Sequence, residues 1–158
     1  RIALLHNEEA GAALTLSQIH DAIERQGHDI VRVVEHEADK HHLLDDNAEL
    51  VVAAGGDGTV ATVSYMLADS GIPVLPFPAG TANLLALHLA SPMEPPALAK
   101  MVREGRTLDF DLGEIEVEGR KFGFGIMAGA GYDAAIMHGA EAGKRLTVYR
   151  VPDAAACS

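Results

Sequence analysis

A chain of 158 residues with 48% hydrophobic and 22% charged residues has the composition of a folded globular protein, long enough for one core of ordinary size and the start of another. Twelve lysines and arginines against 23 aspartates and glutamates leave a formal net charge of −11, which argues against nucleic acid as a partner and confines any polyanionic ligand to a locally built site. A single cysteine, Cys157, excludes a disulfide framework and fits a reducing cytoplasm, and no stretch approaches the roughly 18 apolar residues of a membrane span. The opening RIALLHNEEAG breaks its apolar run too early for the core of a signal peptide, so a cytoplasmic protein is expected, free to meet the inner face of a membrane peripherally.

Residues 2–5 read as a short buried strand, and the loop HNEEAG leads into a segment with Leu16, Ile19 and Ile23 on one helical face, closed by Gly27. Residues 29–34 are β-branched and strand-like, residues 38–44 predict a short helix, and residues 50–54 a second buried strand. After GGDGT, Val60, Val63 and Leu67 recur at helical spacing as far as Gly71, and residues 72–75 are again a strand. Residues 83–89 restart a helix, SPMEPP interrupts it, and another helix runs over residues 97–104. Strands that are apolar throughout, alternating with helices, predict a Rossmann-like three-layer α/β domain over residues 1–104, its parallel sheet covered on both faces.

The pattern changes at residue 105. TLDFDLGEIEVEGRKFGFGIM alternates polar and apolar residues around Glu118-Gly119, where a hairpin turn belongs, and Gly123 and Gly125 leave one strand face bare for a close neighbour. Residues 105–158 are therefore expected to begin an antiparallel, β-rich second domain, with GAGYDAAIM as a glycine loop entering a helix. Its strands are too few to close a sandwich or barrel, so it is either incomplete or completed by something else, and exposed strand edges would favour a homo-oligomer.

In an open parallel sheet, ligands bind beyond the carboxyl ends of the strands, which is where GGDGT falls. Gly55, Gly56 and Gly58 would permit backbone dihedrals closed to other residues, so that successive N–H groups turn inward as a nest for phosphate at the start of the next helix. Thr59 adds a hydroxyl. Asp57 would repel phosphate unless it binds Mg²⁺, orients a donor or accepts a proton. GDG alone could equally be a tight turn whose aspartate caps a helix. The second loop, PFPAGTANLLA, again stands between strand and helix with Pro78, Gly80, Thr81 and Asn83, and the pair together predicts a polyphosphate site.

GGDGT followed by PxGTxN resembles the diacylglycerol kinase catalytic domain family, which includes bacterial lipid kinases and sphingosine and ceramide kinases and is related more distantly to NAD kinases. HNEEAG stands where that family has an Asn-Pro-x-Ser-Gly-like loop, and REGRTLDFDLGEIE and FGFGIMAGAGYDA resemble the segments that enter its second domain. The resemblance implies ATP-dependent, Mg²⁺-assisted phosphorylation of a lipid alcohol. It implies nucleotide contacts from Asn7, Gly55, Gly56, Asp57, Gly58, Thr59 and Thr81, with Asp57 also as metal ligand and catalytic acid or base. Asn83 and Asp133 are expected to meet the acceptor. The sequence departs from the family at Glu8, Ala10 and Val34 and at Val60-Ala61-Thr62, and the family's C-terminal carboxylate and metal site are not among these residues, so a fragment or an inactive homologue is expected. The alternative readings are an NAD-kinase-like enzyme with a water-soluble acceptor, and a nucleotide-binding module without catalysis.

The histidines and acids of EHEADKHHLLDD lack metal-site spacing and read as a solvated face. His88 and His138 read as packing or surface residues, and Lys144, Arg145 and Arg150 as solubilising charges.

Overall fold

A computed structural model describes residues 1–8 and 15–128 of the chain. Asp133, the GAGYDAAIM loop and helix, His138, the basic residues at 144, 145 and 150, and Cys157 lie outside the described residues. The elements described here belong to one compact unit, Arg1–Ile126.

Strand β1 (Ile2–His6) is buried at every position and lies between β2 (Ile30–Val34) and β3 (Leu50–Gly55), while β4 (Val74–Pro78) pairs with the far side of β3. All these pairings are parallel, in the order β2-β1-β3-β4. Alternate residues of each strand feed opposite layers, as the pleat requires. Ile2 and Leu4 of β1, with Val52 and Ala54 of β3, pack under helices α1 (Leu16–Glu24) and α4 (Pro95–Glu104) through Ile19, Ile23, Leu98 and Ala99. Ala3, Leu5, Val51 and Ala53 face the other way, onto Leu43, Val60, Val63 and Leu85, which come from a 3₁₀ helix over Glu37–Leu44, from α2 (Asp57–Met66) and from α3 (Leu84–His88). The three-layer α/β architecture is that expected from the apolar strands. Each fully buried leucine or isoleucine contributes about 1.5–3 kcal/mol, so the central strand alone carries a large share of the core.

Local signals explain where the helices begin and end. Thr15 and Gln18 form a reciprocal capping box at the start of α1, with Thr15 N donating to Gln18 Oε1 at 2.9 Å. Prolines open α4, where an amide would have no helical partner, and Gly105 closes it at φ 65°. The short helix expected after β2 forms, as a 3₁₀ helix, its polar run of EADKHH having no continuous apolar face to reward an α-helix. One element differs from expectation. Strand β4 starts and ends later than predicted and runs through Pro76 and Pro78, which is allowed because among the described strands it pairs on one side only.

The antiparallel pair is also as expected: β5 (Gly113–Val117) and β6 (Arg120–Phe124) join through Glu118 and Gly119, both at positive φ. The hairpin packs on α2. Gly123 is bare because Tyr65 of α2 occupies the space: an added Cβ would lie 2.3 Å from the ring's Cγ. The Tyr65 hydroxyl donates to one Glu114 oxygen, and Lys121 Nζ lies 2.8 Å from the other. Lys121 first, then Tyr65, hold the Glu114 carboxyl below its ordinary range, while Glu114 raises both Tyr65 and Lys121.

A depressed carboxyl stabilises the contact above its unfolded pKa and ceases to do so as pH falls through the folded value. The raised phenol and ammonium stabilise it below their unfolded values and cease to do so as pH rises through the folded ones. Hairpin docking is thus expected to be constant from roughly pH 5.5 to 9 and to loosen on either side. Ring-carbon shifts of Tyr65 followed by NMR across pH check this; a tyrosine titrating at its ordinary value would contradict the contact.

Candidate nucleotide-binding site

The sheet order reverses between β1 and β3, because β1 continues to β2 on one side while β3 lies on the other. A crevice opens at such a switch point, beyond the carboxyl ends of the strands, since the following connections diverge to opposite faces. Asn7 leaves β1 there. Its backbone N–H donates to Ala54 O at 2.9 Å, and its side-chain amide donates to Thr59 Oγ1, also at 2.9 Å. The first loop and the first turn of α2 are thereby joined, and Thr59 is buried, 5% exposed.

The glycines of GGDGT act through size rather than through unusual dihedrals. None of Gly55, Gly56 and Gly58 has a positive φ; among the described residues the left-handed glycines are Gly27, Gly71, Gly105 and Gly119. The expected nest of alternating backbone conformations is therefore replaced by the N-terminus of α2, which starts at Asp57 directly after an extended Gly56. Gly55 is small because Thr59 folds back over it, an added Cβ meeting the Thr59 side chain at 2.7 Å. Gly56, the N-cap, supplies no capping side chain, so the helix presents its first amides and the positive end of its dipole. An added Cβ on exposed Gly58 would meet nothing within 4 Å, which leaves open space over this first turn.

The second glycine loop closes onto the first. Ala79 N donates to Gly55 O at 3.1 Å, and Gly80 packs so closely on Gly56 that a Cβ on Gly80 would lie 2.3 Å from Gly56 Cα. Asp57 spans the junction: its Oδ1 accepts the backbone N–H of Leu85, in the first turn of α3, at 3.0 Å. Asn83 sits at the N-cap of α3 in the left-handed region, φ 52° and ψ 43°, with its amide turned back on Gly80. Thr81 is exposed on the same loop.

Asn7, Gly55 and Thr59 thus meet in one set of contacts and Gly56, Asp57 and Asn83 in an adjoining one, with Thr81 on the rim. One participant escapes sequence reasoning: Leu85 contributes an amide, for which no side-chain signal exists. Gly80 was legible as part of PxGTxN, but its reason for being glycine is the Gly56 backbone. The histidine-rich segment is engaged locally, His42 Nδ1 lying 2.7 Å from Asp45 Oδ2 and holding the Asp45 carboxyl below its usual range.

With both glycine loops joined at the switch point, similarity to known proteins can be set against the geometry. The family described as Diacylglycerol kinase catalytic domain matches residues 1–115. The chain belongs to that family. It is 34% identical over 146 residues to a protein named Diacylglycerol kinase from Mycobacterium tuberculosis strain H37Rv, covering 86% of this chain and 47% of that protein. It is 30% identical over 142 residues to a Probable lipid kinase YegS-like from Klebsiella pneumoniae strain 342, covering 84% of this chain and 46% of that protein. A third similarity, 35% over 88 residues, is to an NAD kinase of Chloroflexus aurantiacus and covers 54% of this chain and 32% of that protein. The chain spans about half the length of the diacylglycerol and YegS-like lipid kinases it matches. Both glycine loops of this diacylglycerol kinase family chain, at 55–59 and 78–83, fall within the matched residues. No helix among the described residues is long and apolar enough to cross a membrane.

Proposed function

We propose that this chain carries the nucleotide-binding part of an ATP-dependent lipid kinase, which transfers the γ-phosphoryl group of ATP to a lipid hydroxyl. The observation that carries the reading is the junction of the two glycine loops at the switch point, Gly56 against Gly80 and Asp57 to Leu85, beside an α2 N-terminus without a capping side chain. On an acidic protein this arrangement supplies what a polyphosphate needs: backbone donors, a helix dipole and, among the described residues, open space beside Gly58. Thr81 adds a hydroxyl at the rim, and Asn7 holds Thr59 in place.

Among the described residues no group of three or more histidine, cysteine, aspartate or glutamate side chains converges on a metal position. Mg²⁺ nevertheless fits, because this ion keeps much of its water and is ordinarily held by one or two carboxylates together with the nucleotide's own phosphate oxygens. Asp57 would be the protein's ligand, with Oδ1 on Leu85 and the second oxygen available. The bound ion would neutralise phosphate charge. Transfer forms a bond from the acceptor oxygen to the γ-phosphorus and breaks the bond to the bridging oxygen; in this reading Asp57 would take the acceptor's proton. Such chemistry asks chiefly for positioning and charge neutralisation.

Exposed Leu84 and Leu87 on α3, beside the second loop, favour an apolar acceptor over a nucleotide one. A lipid acceptor would bring the working protein to the inner face of the membrane. Incubation with labelled ATP, Mg²⁺ and a bacterial lipid extract tests the proposal. Labelled phospholipid is expected. Labelled NADP from added NAD would favour the NAD-kinase-like reading, which the Chloroflexus similarity supports, and ATP binding with no turnover would leave a binding module.

A further inference from the structure

We infer that Asn83 is a positioning residue that sets the two glycine loops at their working separation, rather than a contact to the acceptor. This rests on the nucleotide-binding reading. Asparagine is a favoured helix N-cap because its side-chain oxygen accepts an amide of the first turn. At α3 the side chain does something else: Oδ1 accepts the Gly80 N–H at 2.8 Å, and Nδ2 donates to the Gly80 carbonyl at 2.7 Å. Both polar ends of the amide are spent on a single glycine. The capping task passes to Asp57, whose Oδ1 takes the Leu85 amide from across the junction.

The consequence lies in what Gly80 touches. Its Cα side faces the Gly56 backbone with no space for a methyl group, and Gly56 is the residue from which the α2 N-terminus starts. Clamping both polar groups of Gly80 therefore fixes the second loop against the first, and with it the spacing of amides on either side of the phosphates. The left-handed backbone at Asn83 turns the amide back toward Gly80, a conformation that asparagine tolerates better than most residues. One N–H and one lone pair of the amide are thereby committed to Gly80, which fixes its orientation within the loop.

Asn83→Gly isolates the clamp, because glycine accepts φ near +52° without strain while losing the amide. In the 158-residue chain, the variant is expected to stay folded with a lowered melting temperature and to exchange its Gly80 amide faster. Its affinity for Mg·ATP should fall by about five- to tenfold, as loss of two modest hydrogen bonds implies. An unchanged Mg·ATP affinity with a folded variant overturns the inference but leaves the nucleotide reading standing; a wild-type chain that takes up no Mg·ATP removes both. Should Asn83→Gly fold poorly, the wild-type side-chain amide resonance of Asn83 decides. It is expected to exchange slowly with Mg·ATP bound and not to shift on addition of dioctanoylglycerol, whereas a shift would assign Asn83 to the acceptor and overturn the proposal.

Discussion

Gly80→Ala is expected to abolish measurable Mg·ATP binding and to lower stability by about 1–3 kcal/mol, the usual cost of forcing atoms into a packed site. The methyl would lie 2.3 Å from Gly56 Cα and 3.0 Å from Gly56 N. Backbone stands on both sides of that contact, so no flexible side-chain end can swing aside, and the two loops must part. Parting them also strains the Asp57–Leu85 bond and the Asn83 amide, which lies 3.1 Å from the same added carbon. Calorimetric titration with Mg·ATP, alongside a thermal melt, tests this. Gly58→Ala is the matched control: its added carbon meets nothing, so the melt should move little. A Gly80→Ala protein that binds as wild type would show that the loops do not work as one cradle.

Asp57 has two tasks that two substitutions separate. Asp57→Asn keeps an oxygen able to accept the Leu85 amide, so its melt should match wild type, yet it removes the negative charge needed to hold a cation and take a proton. Asp57→Ala removes both, and stranding the Leu85 amide in a partly buried first turn should cost about 1 kcal/mol beyond Asp57→Asn. Phosphoryl transfer should drop in either variant by on the order of 10²- to 10⁴-fold, as loss of a general base does. Full activity in Asp57→Asn would leave Asp57 as a cap on α3 supplied from another loop, a structural role different from the cap on its own helix that GDG alone allowed.

Much of this was readable one segment at a time. The uniformly apolar strands around Leu4 and Val52 announced a sheet covered on both faces, and Glu118-Gly119 between alternating strands announced the hairpin. Pro76 and Pro78 misplaced β4, since a local reading of proline cannot know that the strand pairs on only one side. The glycines were found for the wrong reason: their backbones are ordinary, and Gly55 and Gly80 are small because Thr59 and Gly56 press against them.

By itself the sequence determined the order of elements, the paired glycine loops and the family, because period, turn chemistry and motif spacing are properties of neighbouring residues. Only the tertiary structure decided that the two loops meet. That depends on the reversal of strand order between β1 and β3, and on contacts such as Asn7 to Thr59 and Asp57 to Leu85 between residues 52 and 28 positions apart. Such contacts arise when packing of the whole sheet brings distant segments together, and no local pattern encodes them.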